Sequence, residues 1–462
     1  MIFQIFNFYY PIRNLVFFLI ETFSIFSSIL IASIIKIEFI DAQVFQWTNV
    51  LPKVALITVI CILSLYYLDL YDFNKVSEYG ELIIRLLQAL GISCLTLAAI
   101  YFFFPNFIIA EKVFMLSLFF IVSFVLCWRL VYNWVLKTEK LTEKVLILGS
   151  DELTDKIITE IEKRKDSAFK IVGILAENSL PKKPYKYQIL GKINDILSVT
   201  ENLCYDRLII AMKEKRGFLP LKELLEIKLK GTTVQDGVEF YEHLTGKVMV
   251  ERVHPSYFIF SDGFKTNGIK RRIKRCLDII FASLGLLLSL PISIITAIAI
   301  KLDSPGPVLF KQERVGERGK IFILYKFRSM HIGAEKDKPV WAKEKDPRVT
   351  RVGKIIRKLR IDEIPQMFNV LKGDMSFVGP RPERPYFVKQ LEKIIPYYIQ
   401  RHAVKPGITG WAQIRYPYGA SVEDALEKLK YDLYYIKNMS ILFDLAIVFE
   451  TSKVVLLRRG AR

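Results

Sequence analysis

The sequence has few of the residues that bind transition metals or build disulfide frameworks. Its five cysteines include no Cys-x-x-Cys pair, and its four histidines are scattered without metal-ligand spacing. This pattern argues against a zinc site and a disulfide-stabilised fold, and it fits a reducing compartment. Zinc-finger spacing, aromatic RNA-binding motifs and helix-turn-helix patterns are also missing, so we predict no nucleic-acid partner.

Acidic residues are outnumbered by basic ones, yet the chain is apolar. The sequence has 66 Lys and Arg against 47 Asp and Glu, a formal net charge of +19, and 52% hydrophobic residues. A membrane protein with a basic cytoplasmic part combines these features, because Lys and Arg concentrate on the inner face. A length of 462 residues allows two or three folding units.

Four apolar runs in the first third are each near the roughly 20 residues that cross the hydrocarbon core as a helix. They cover Leu15–Ile35, Val54–Leu70, Leu82–Phe104 and Val113–Leu136. Lys137, Lys140 and Lys144 follow the last run, which places that end in the cytoplasm, and an even number of crossings places the N-terminus there too. No cleavage site follows the first run, which we expect to remain as an anchor. We predict a four-helix transmembrane domain over residues 1–140.

Residues 144–262 alternate short apolar segments with amphipathic ones. KVLILGS, KIVGIL and DRLIIAM have the composition of strands, and TDKIITEIEKR and LKELLEIKLKG that of helices. This alternation predicts a Rossmann-like α/β domain with a parallel sheet. A dinucleotide fingerprint needs three glycines, but the first turn has only Gly149, with Asp151 and Glu152 where phosphates would lie. We therefore predict a degenerate domain with a structural or regulatory role.

A fifth apolar run, Leu277–Ile300, begins the third part of the chain, residues 270–462. Basic residues flank the run on both sides, which opposes a membrane crossing. Ser289 and Pro291 interrupt it, and proline removes a helix hydrogen bond and bends the axis. We predict a re-entrant helix over about 277–300 that breaks at these two residues and returns to the cytoplasmic face. The alternative is a fifth span with a proline kink.

Asp362 and Glu363 stand side by side in the basic stretch KLRIDEIPQM. Because proline is favoured in the first turn of a helix, the sequence predicts a short helix from near Pro365 to Gly373 with the carboxylates at its N-terminus. Neighbouring helical positions point about 100° apart, so we expect separate roles: one nucleophile, and one ligand of a hard cation such as Mg²⁺. We expect nearby cations to lower both carboxyl pKa values. The alternative is a structural ion-pair cluster.

Further cations surround this pair along the sequence. Lys326 and Arg328 follow a strand-like stretch, and Arg357 and Arg360 precede the pair. All four are candidates for phosphate contacts, although anionic lipid head groups would attract the same residues. In GPRPE two prolines fix the backbone of Arg381, which can then hold its guanidinium toward a phosphate.

Several motifs, in this order after the interrupted apolar run, resemble the bacterial sugar transferase family. They are LDSPGPVLFKQERVG, YKFRSM, LRIDEIPQMFNVLKGDMSFVGPRPE and KPGITGWAQI. This family contains the polyprenyl-phosphate hexose-1-phosphate transferases that begin exopolysaccharide and O-antigen assembly. The resemblance covers about residues 270–462 and implies a C-terminal α/β catalytic domain. The first two parts resemble the long form of the family by architecture.

The resemblance implies transfer of a sugar-1-phosphate from a UDP-sugar to undecaprenyl phosphate, giving undecaprenyl-diphosphate-sugar and UMP. By position it implies that Asp362 attacks the β-phosphorus and holds the phosphosugar covalently. It also implies that Glu363 helps to place Mg²⁺, and that Arg381 and Pro382 belong to a turn that contacts nucleotide or phosphate. The family often has Ser-Pro at the helix break, whereas Leu290 stands between Ser289 and Pro291 here.

The expected location is the bacterial inner membrane, with several crossings and with the middle and catalytic domains on the cytoplasmic face. Expected partners are the UDP-sugar, undecaprenyl phosphate and the bilayer, and further candidates are a second copy and other polysaccharide assembly proteins. Glucose and galactose are the first candidates for the sugar. Two other functions stay open: an NAD-dependent sugar-nucleotide dehydratase or epimerase, and a non-enzymatic scaffold. The former needs a Tyr-x-x-x-Lys pair, and Tyr71 with Lys75 alone has that spacing.

Overall fold

The chain forms two compact units in this computed structural model, Met1–Phe240 and Tyr241–Arg462. Two lysines named in the sequence analysis, Lys75 of the Tyr-x-x-x-Lys spacing and Lys140 after the fourth apolar run, lie outside the residues that the structure describes. The description covers residues 2–37, 47–73, 79–109, 111–137, 142–164, 167–177, 186–201, 203–212, 219–253, 255–261, 263–264, 267–333, 346–417, 419 and 421–457.

The first unit begins with a β-hairpin and four long helices. Their bounds are β1 Ile2–Ile5, β2 Phe8–Pro11, α1 Ile12–Ile37, α2 Trp47–Tyr67, α3 Tyr79–Phe103 and α4 Glu111–Lys137. All four helices are long and apolar enough to cross a membrane. Arg129 of α4 makes two hydrogen bonds of 2.8 and 3.0 Å to the carboxylate of Glu21 on α1. Such a buried charge is tolerated in an apolar bundle because it is paired.

A five-stranded parallel sheet completes the first unit. Its elements are β3 Glu143–Leu148, α5 Glu152–Glu162, β4 Phe169–Ala176, β5 Ile189–Lys192, α6 Ile196–Glu201, β6 Arg207–Ile210, α7 Leu221–Leu229 and β7 Thr233–Asp236. The strand order β5-β4-β3-β6-β7 is that of a doubly wound sheet, which confirms the predicted parallel α/β fold. The edge strands β5 and β7 escaped prediction because they are short and only partly buried.

The first turn of this sheet accounts for its single glycine and its acidic residues. Gly149 has φ +124°, and a Cβ there would lie 2.8 Å from the carbonyl carbon of Ala211, so only glycine fits. The side chain of Asp151 accepts hydrogen bonds from the backbone N–H groups of Leu153 and Thr154. The N-terminus of α5, where a dinucleotide fold binds pyrophosphate, is therefore capped by the chain's own carboxylate.

The second unit combines helices with two short sheets. Its elements are the end of α8 Gly237–Thr245, then α9 Pro255–Phe260, α10 Gly268–Asp303, β8 Leu309–Val315, β9 Ile321–Phe327, α11 Arg351–Lys358, α12 Gln366–Lys372, β10 Ser376–Val378, α13 Pro385–Ile394, β11 Gly407–Thr409, α14 Trp411–Arg415, α15 Val422–Lys437 and α16 Ile441–Leu456. Strands β8 and β9 form an antiparallel hairpin, and β10 pairs with β11 in parallel.

Helix α10 is the fifth helix among the described residues that is long and apolar enough to cross a membrane. Its 36 residues give a length of about 54 Å, well beyond the roughly 30 Å hydrocarbon core. Ser289 and Pro291 both lie inside this helix, so the expected interruption of helical structure at these residues is not present. Proline removes only one N–H donor, and a helix can absorb that loss as a bend without ending.

Residues that follow Tyr241 pack within the second unit, although the strand pattern assigned 144–262 to the Rossmann-like domain. The indole N–H of Trp411 donates to the carbonyl of Gly246 at 3.0 Å. Lys437 and Glu242 form an ion pair of 2.9 Å in which both side chains are buried. This segment therefore supports helices α14 and α15. It also gives Trp411, in the KPGITGWAQI motif, a packing role.

Candidate active site

The carboxylate pair lies in a single 3₁₀ turn, Ile361–Glu363, between α11 and α12. Arg360 adopts a left-handed conformation with φ +54°, which turns the chain after α11. Pro365 precedes α12, and Gly373, with φ +95°, ends it. The predicted short helix and the position of the two carboxylates just before it are confirmed.

Glu363 is held by three cations from different parts of the second unit. Its Oε1 accepts from Arg381 Nη2 at 2.8 Å and from Lys326 Nζ at 3.3 Å, and its Oε2 lies 3.8 Å from Arg360 Nη1. The Glu363 side chain is 11% exposed. Burial raises the pKa of Glu363, but Arg381, Lys326 and Arg360 outweigh burial and hold that pKa well below its usual range.

Asp362 has a different environment, although it is the adjacent residue. It is 9% exposed, and its carboxylate makes no hydrogen bond or ion pair with the described part of the chain. Burial, with repulsion from Glu363, raises the pKa of Asp362 to about 6 against the opposing effect of Lys326 and Arg381. The expectation that cations lower both pKa values is therefore wrong for Asp362, because desolvation outweighs attraction there.

Lys326 reaches the pair because α12 is joined to β9. The amide of buried Asn369 donates to the carbonyl of Ile323 at 2.7 Å and accepts from the N–H of Tyr325 at 3.1 Å. Helix α12 also packs against α10, where a Cβ at Gly285 would lie 2.7 Å from Met367 Sδ. Through α12, the turn that carries Asp362 and Glu363 is thus fixed both to the β8–β9 hairpin and to helix α10.

Arg328 does not join this cluster, which corrects its assignment to substrate binding. Its guanidinium is buried and donates to the carbonyls of Ser304 at 2.7 Å, Pro305 and Ile300. These carbonyls lie at the C-terminal end of α10, where unpaired acceptors and the helix dipole attract a cation. Its role in the structure is to cap that helix.

The remaining predicted residues contribute in different ways. Arg357 lies on α11, and its positive charge lowers the pKa of Asp362 against the effect of burial. Pro382 is buried and offers its backbone carbonyl to Arg314 Nη1 at 2.9 Å. Ser289 and Pro291 lie in α10 and contribute no group to the carboxylate turn.

Sequence reasoning missed a buried pair behind the turn that carries Arg381. Arg401 Nη2 donates to the carbonyl oxygen of Arg381 at 3.0 Å and to Asp432 Oδ2 at 2.7 Å. Both residues of this pair are almost fully buried. Neither belongs to one of the motifs used in the prediction, and their pairing over 31 positions is invisible in one sequence.

Glu363 is the residue of the site that could contribute a carboxylate oxygen to a bound magnesium ion. No group of three or more His, Cys, Asp or Glu side chains within the described ranges could hold a metal ion alone. Glu363 Oε1 is engaged by two cations, whereas among the described residues Oε2 has the 3.8 Å contact with Arg360 alone and can accept another ligand. Mg²⁺ commonly binds one or two carboxylates together with phosphate oxygens and water.

Comparisons with known proteins agree with the motif order. The profile of the bacterial sugar transferase family matches residues 269–458, and that of a CoA-binding domain matches residues 67–217. The chain is 48% identical over 221 residues to a UDP-N-acetylgalactosamine-undecaprenyl-phosphate N-acetylgalactosaminephosphotransferase of Aeromonas hydrophila, covering 48% of this chain and 52% of that protein.

Two further relatives differ in length. The chain is 48% identical over 190 residues to a UDP-glucose:undecaprenyl-phosphate glucose-1-phosphate transferase of Escherichia coli (strain K12), covering 40% of each chain. It is 45% identical over 186 residues to the exopolysaccharide production protein PSS of Rhizobium leguminosarum bv. phaseoli, covering 39% of this chain and 92% of that protein. The match thus spans about half or less of the first two relatives, and nearly all of the third.

Proposed function

The chain belongs to the bacterial sugar transferase family, and we propose that it transfers a hexose-1-phosphate from a UDP-sugar to undecaprenyl phosphate. The products are undecaprenyl-diphosphate-hexose and UMP. This reaction would be the first membrane step of exopolysaccharide, capsule or O-antigen synthesis. Glucose and N-acetylgalactosamine are named for the relatives, and galactose is a further candidate sugar.

The observation that carries this proposal is the contrast between the two adjacent carboxylates. Glu363 is neutralised by Arg381 and Lys326, whereas Asp362 is buried beside the same cations and has no hydrogen-bonding partner in the described part of the chain. A largely buried carboxylate without a protein partner keeps its oxygen lone pairs available to attack an electrophile. The surrounding cations suit a substrate with several phosphate charges.

The proposed chemistry has two displacements at one phosphorus. First, a carboxylate oxygen of Asp362 attacks the β-phosphorus of the UDP-sugar, and the bond from that phosphorus to the bridging oxygen breaks. UMP leaves with the bridging oxygen, and the phosphosugar stays on Asp362. An oxygen of undecaprenyl phosphate then attacks the same phosphorus and displaces the carboxylate, which regenerates the enzyme.

The remaining groups of the site would stabilise the charge that moves during these steps. Arg381 and Lys326 can share their donors between Glu363 and the diphosphate oxygens, and Arg360 adds a third positive charge. Glu363 would hold Mg²⁺ through Oε2, and the bound ion would neutralise part of the diphosphate charge. Arg381 is fixed at the turn and can contact the leaving UMP.

A site at the membrane face suits an acceptor with a long hydrocarbon chain and a phosphate head. The exposed apolar residues of α10 suit contact with lipid, and its contact with α12 would bring the carboxylate turn to the membrane surface. We propose a re-entrant path for this helix, with the carboxylate turn on the cytoplasmic side of an inner membrane. The lysine and arginine residues on both sides of the apolar run within α10 favour the same arrangement. A bend at Pro291 would let the helix return.

The two alternative functions have weaker support. An NAD-dependent reaction would need pyrophosphate at the N-terminus of α5, where Asp151 already occupies the backbone donors. A scaffold with purely structural ion pairs accounts for Glu363, but it leaves no reason to bury Asp362 without a partner. The site therefore supports an enzyme best.

The direct test measures UMP release by the full-length protein in lipid nanodiscs containing undecaprenyl phosphate. UDP-glucose, UDP-galactose and UDP-N-acetylgalactosamine should each be supplied separately, with Mg²⁺ or with EDTA. We expect UMP release with at least one sugar, dependent on Mg²⁺ and on the lipid phosphate for repeated turnover. Absence of UMP with every UDP-sugar would refute the proposed function.

A further inference from the structure

The turn formed by Pro380, Arg381 and Pro382 lacks two backbone hydrogen-bond donors, because the two prolines have no N–H. The structure instead holds the carbonyls of the turn. Gly407 N donates to Pro380 O at 2.9 Å, Arg401 Nη2 to Arg381 O at 3.0 Å and Arg314 Nη1 to Pro382 O at 2.9 Å. Three consecutive carbonyls are therefore fixed from outside the turn, two of them by arginine side chains.

Arg401 is held more firmly than a surface side chain would be. It is 6% exposed, and its Nε and Nη2 both donate to Asp432 Oδ2, at 3.1 and 2.7 Å. Its Nη1 donates to the hydroxyl of Tyr398 at 2.8 Å. The orientation of the planar guanidinium is therefore fixed by three hydrogen bonds to two partners, in addition to its contact with Arg381.

The Arg381 side chain is long and one-third exposed. The position of its guanidinium therefore depends on how firmly the backbone of Arg381 is held. A flexible arginine loses rotamer freedom whenever it is ordered, and a fixed backbone reduces the range over which its guanidinium can move. The hydrogen bond from Arg401 is made to the carbonyl of this same residue. Its loss would free the middle carbonyl of the turn, which belongs to the residue that contacts Glu363.

We infer that Arg401, oriented by Asp432, is a positioning residue that acts through Arg381 to aim its guanidinium at Glu363 and at the incoming diphosphate. This inference rests on the proposed function. Arg401 is buried behind the turn and need not touch the substrate. Its effect on the reaction should therefore vanish when the Arg381 side chain is removed.

The experiment is a double-mutant cycle on UMP release with Arg381→Ala, Arg401→Gln and the double variant. A displacement of about 1 Å in a positioned group can lower a rate by roughly 10²-fold, so we expect kcat/KM to fall by about 10- to 100-fold in each single variant. We expect the double variant to lie within about 3-fold of Arg381→Ala, because Arg401 has no further route to the substrate. Multiplication of the two single effects would overturn the inference.

Two controls separate positioning from loss of folding. Lys437→Gln removes the cation paired with buried Glu242, which keeps the hydroxyl of Tyr257, much as Arg401→Gln removes the cation paired with Asp432. Within the described ranges Lys437 contacts no residue of the turn. It should lower the thermal midpoint with little change in kcat/KM of the folded protein. Arg401→Lys keeps a cation beside Asp432, and we expect it to fold while recovering only part of the rate, since one amine cannot reproduce the planar fork.

A readout without catalysis distinguishes failure of this inference from failure of the proposed function. Hydrogen–deuterium exchange of the intact protein should become faster in Arg401→Gln and Arg401→Lys at peptides covering residues 379–384, and stay unchanged at residues 366–372. The Lys437→Gln variant should change neither region. If exchange at 379–384 is the same as in the wild type, Arg401 does not hold the turn, whatever the activity of the enzyme.

Discussion

Two turns of the molecule place carboxylates beside a helix N-terminus, with opposite outcomes. After β3, Asp151 gives its carboxylate to the backbone N–H groups that begin α5. Before α12, Asp362 is buried but makes no hydrogen bond with the described residues, although Pro365 and the helix start follow immediately. The first carboxylate stabilises its own fold, whereas the second has no hydrogen-bonding partner among the described residues.

The comparison teaches that an acidic residue at a helix start indicates function only when the fold leaves it unsatisfied. Both turns have acidic pairs in the sequence, Asp151 with Glu152 and Asp362 with Glu363. A capping carboxylate lowers the free energy of the folded state, while a buried carboxylate without a partner raises it. Such a cost persists at sites that bind or react.

The largest effect is expected from Asp362→Asn, which removes the proposed nucleophile with little change in shape. We expect UMP release to fall by roughly 10³-fold or more, the scale seen when a covalent nucleophile is replaced. The thermal midpoint should stay the same or rise, since the variant removes a buried charge for which the described ranges supply no hydrogen-bonding partner. Near wild-type turnover, or a large loss of stability, would place Asp362 among structural carboxylates like Asp151.

Glu363→Gln should give the second largest loss of UMP release. Unlike Asp362→Asn, it should also lower the stability of the protein. The amide cannot neutralise Arg381 and Lys326, which lie 2.8 and 3.3 Å from Glu363 Oε1. We expect UMP release to fall by about 10²-fold, the scale of losing one charge-stabilising group, and the thermal midpoint to fall as well. A variant with unchanged stability would mean that the three surrounding cations do not need this carboxylate.

The pH dependence of the reaction tests the raised pKa of Asp362. Burial and Glu363 raise that pKa to about 6, so the carboxylate is ionised above pH 6 and protonated below it. Only the ionised form can attack phosphorus, and kcat/KM should therefore fall about tenfold for each pH unit below about 6. An acidic limb centred near 4, typical of an exposed aspartate, would show that burial does not control this group.

The smallest effect on activity is expected at the turn after β3, which contains Asp151. Asp151→Ala removes the cap of α5 and should lower the free energy of unfolding by about 1 kcal/mol, whereas Asp151→Asn should keep it because asparagine caps equally well. UMP release by the folded protein should be unchanged in both variants. A loss of activity in Asp151→Asn would give the Rossmann-like domain a part in catalysis.

The sequence predicted those elements whose side-chain pattern is strong. The apolar runs became α1 to α4, the alternating segments became a parallel sheet, and the proline and glycine that bound α12 marked its ends. Prediction failed where the pattern is weak or ambiguous: β5 and β7 are short edge strands, and Pro291 lies inside a helix that continues past it.

The candidate site was predictable in its residue types and not in its partners. The adjacency of Asp362 and Glu363 and the rigid turn around Arg381 are local features, and the contact between Glu363 and Arg381 agrees with them. The function of Arg328 as a helix cap and the pairing of Arg401 with Asp432 arise from tertiary contacts. The pKa of Asp362 also depends on burial, which local charge cannot reveal.

The covalent role of Asp362 can be tested by mass spectrometry of the protein after brief incubation with its UDP-sugar, without undecaprenyl phosphate. We predict that the wild type gains the mass of one hexose phosphate, that peptide mapping places it on Asp362, and that undecaprenyl phosphate removes it. The Asp362→Asn variant should gain nothing. An enzyme that releases UMP without forming the adduct, or that carries it on another residue, would contradict the account.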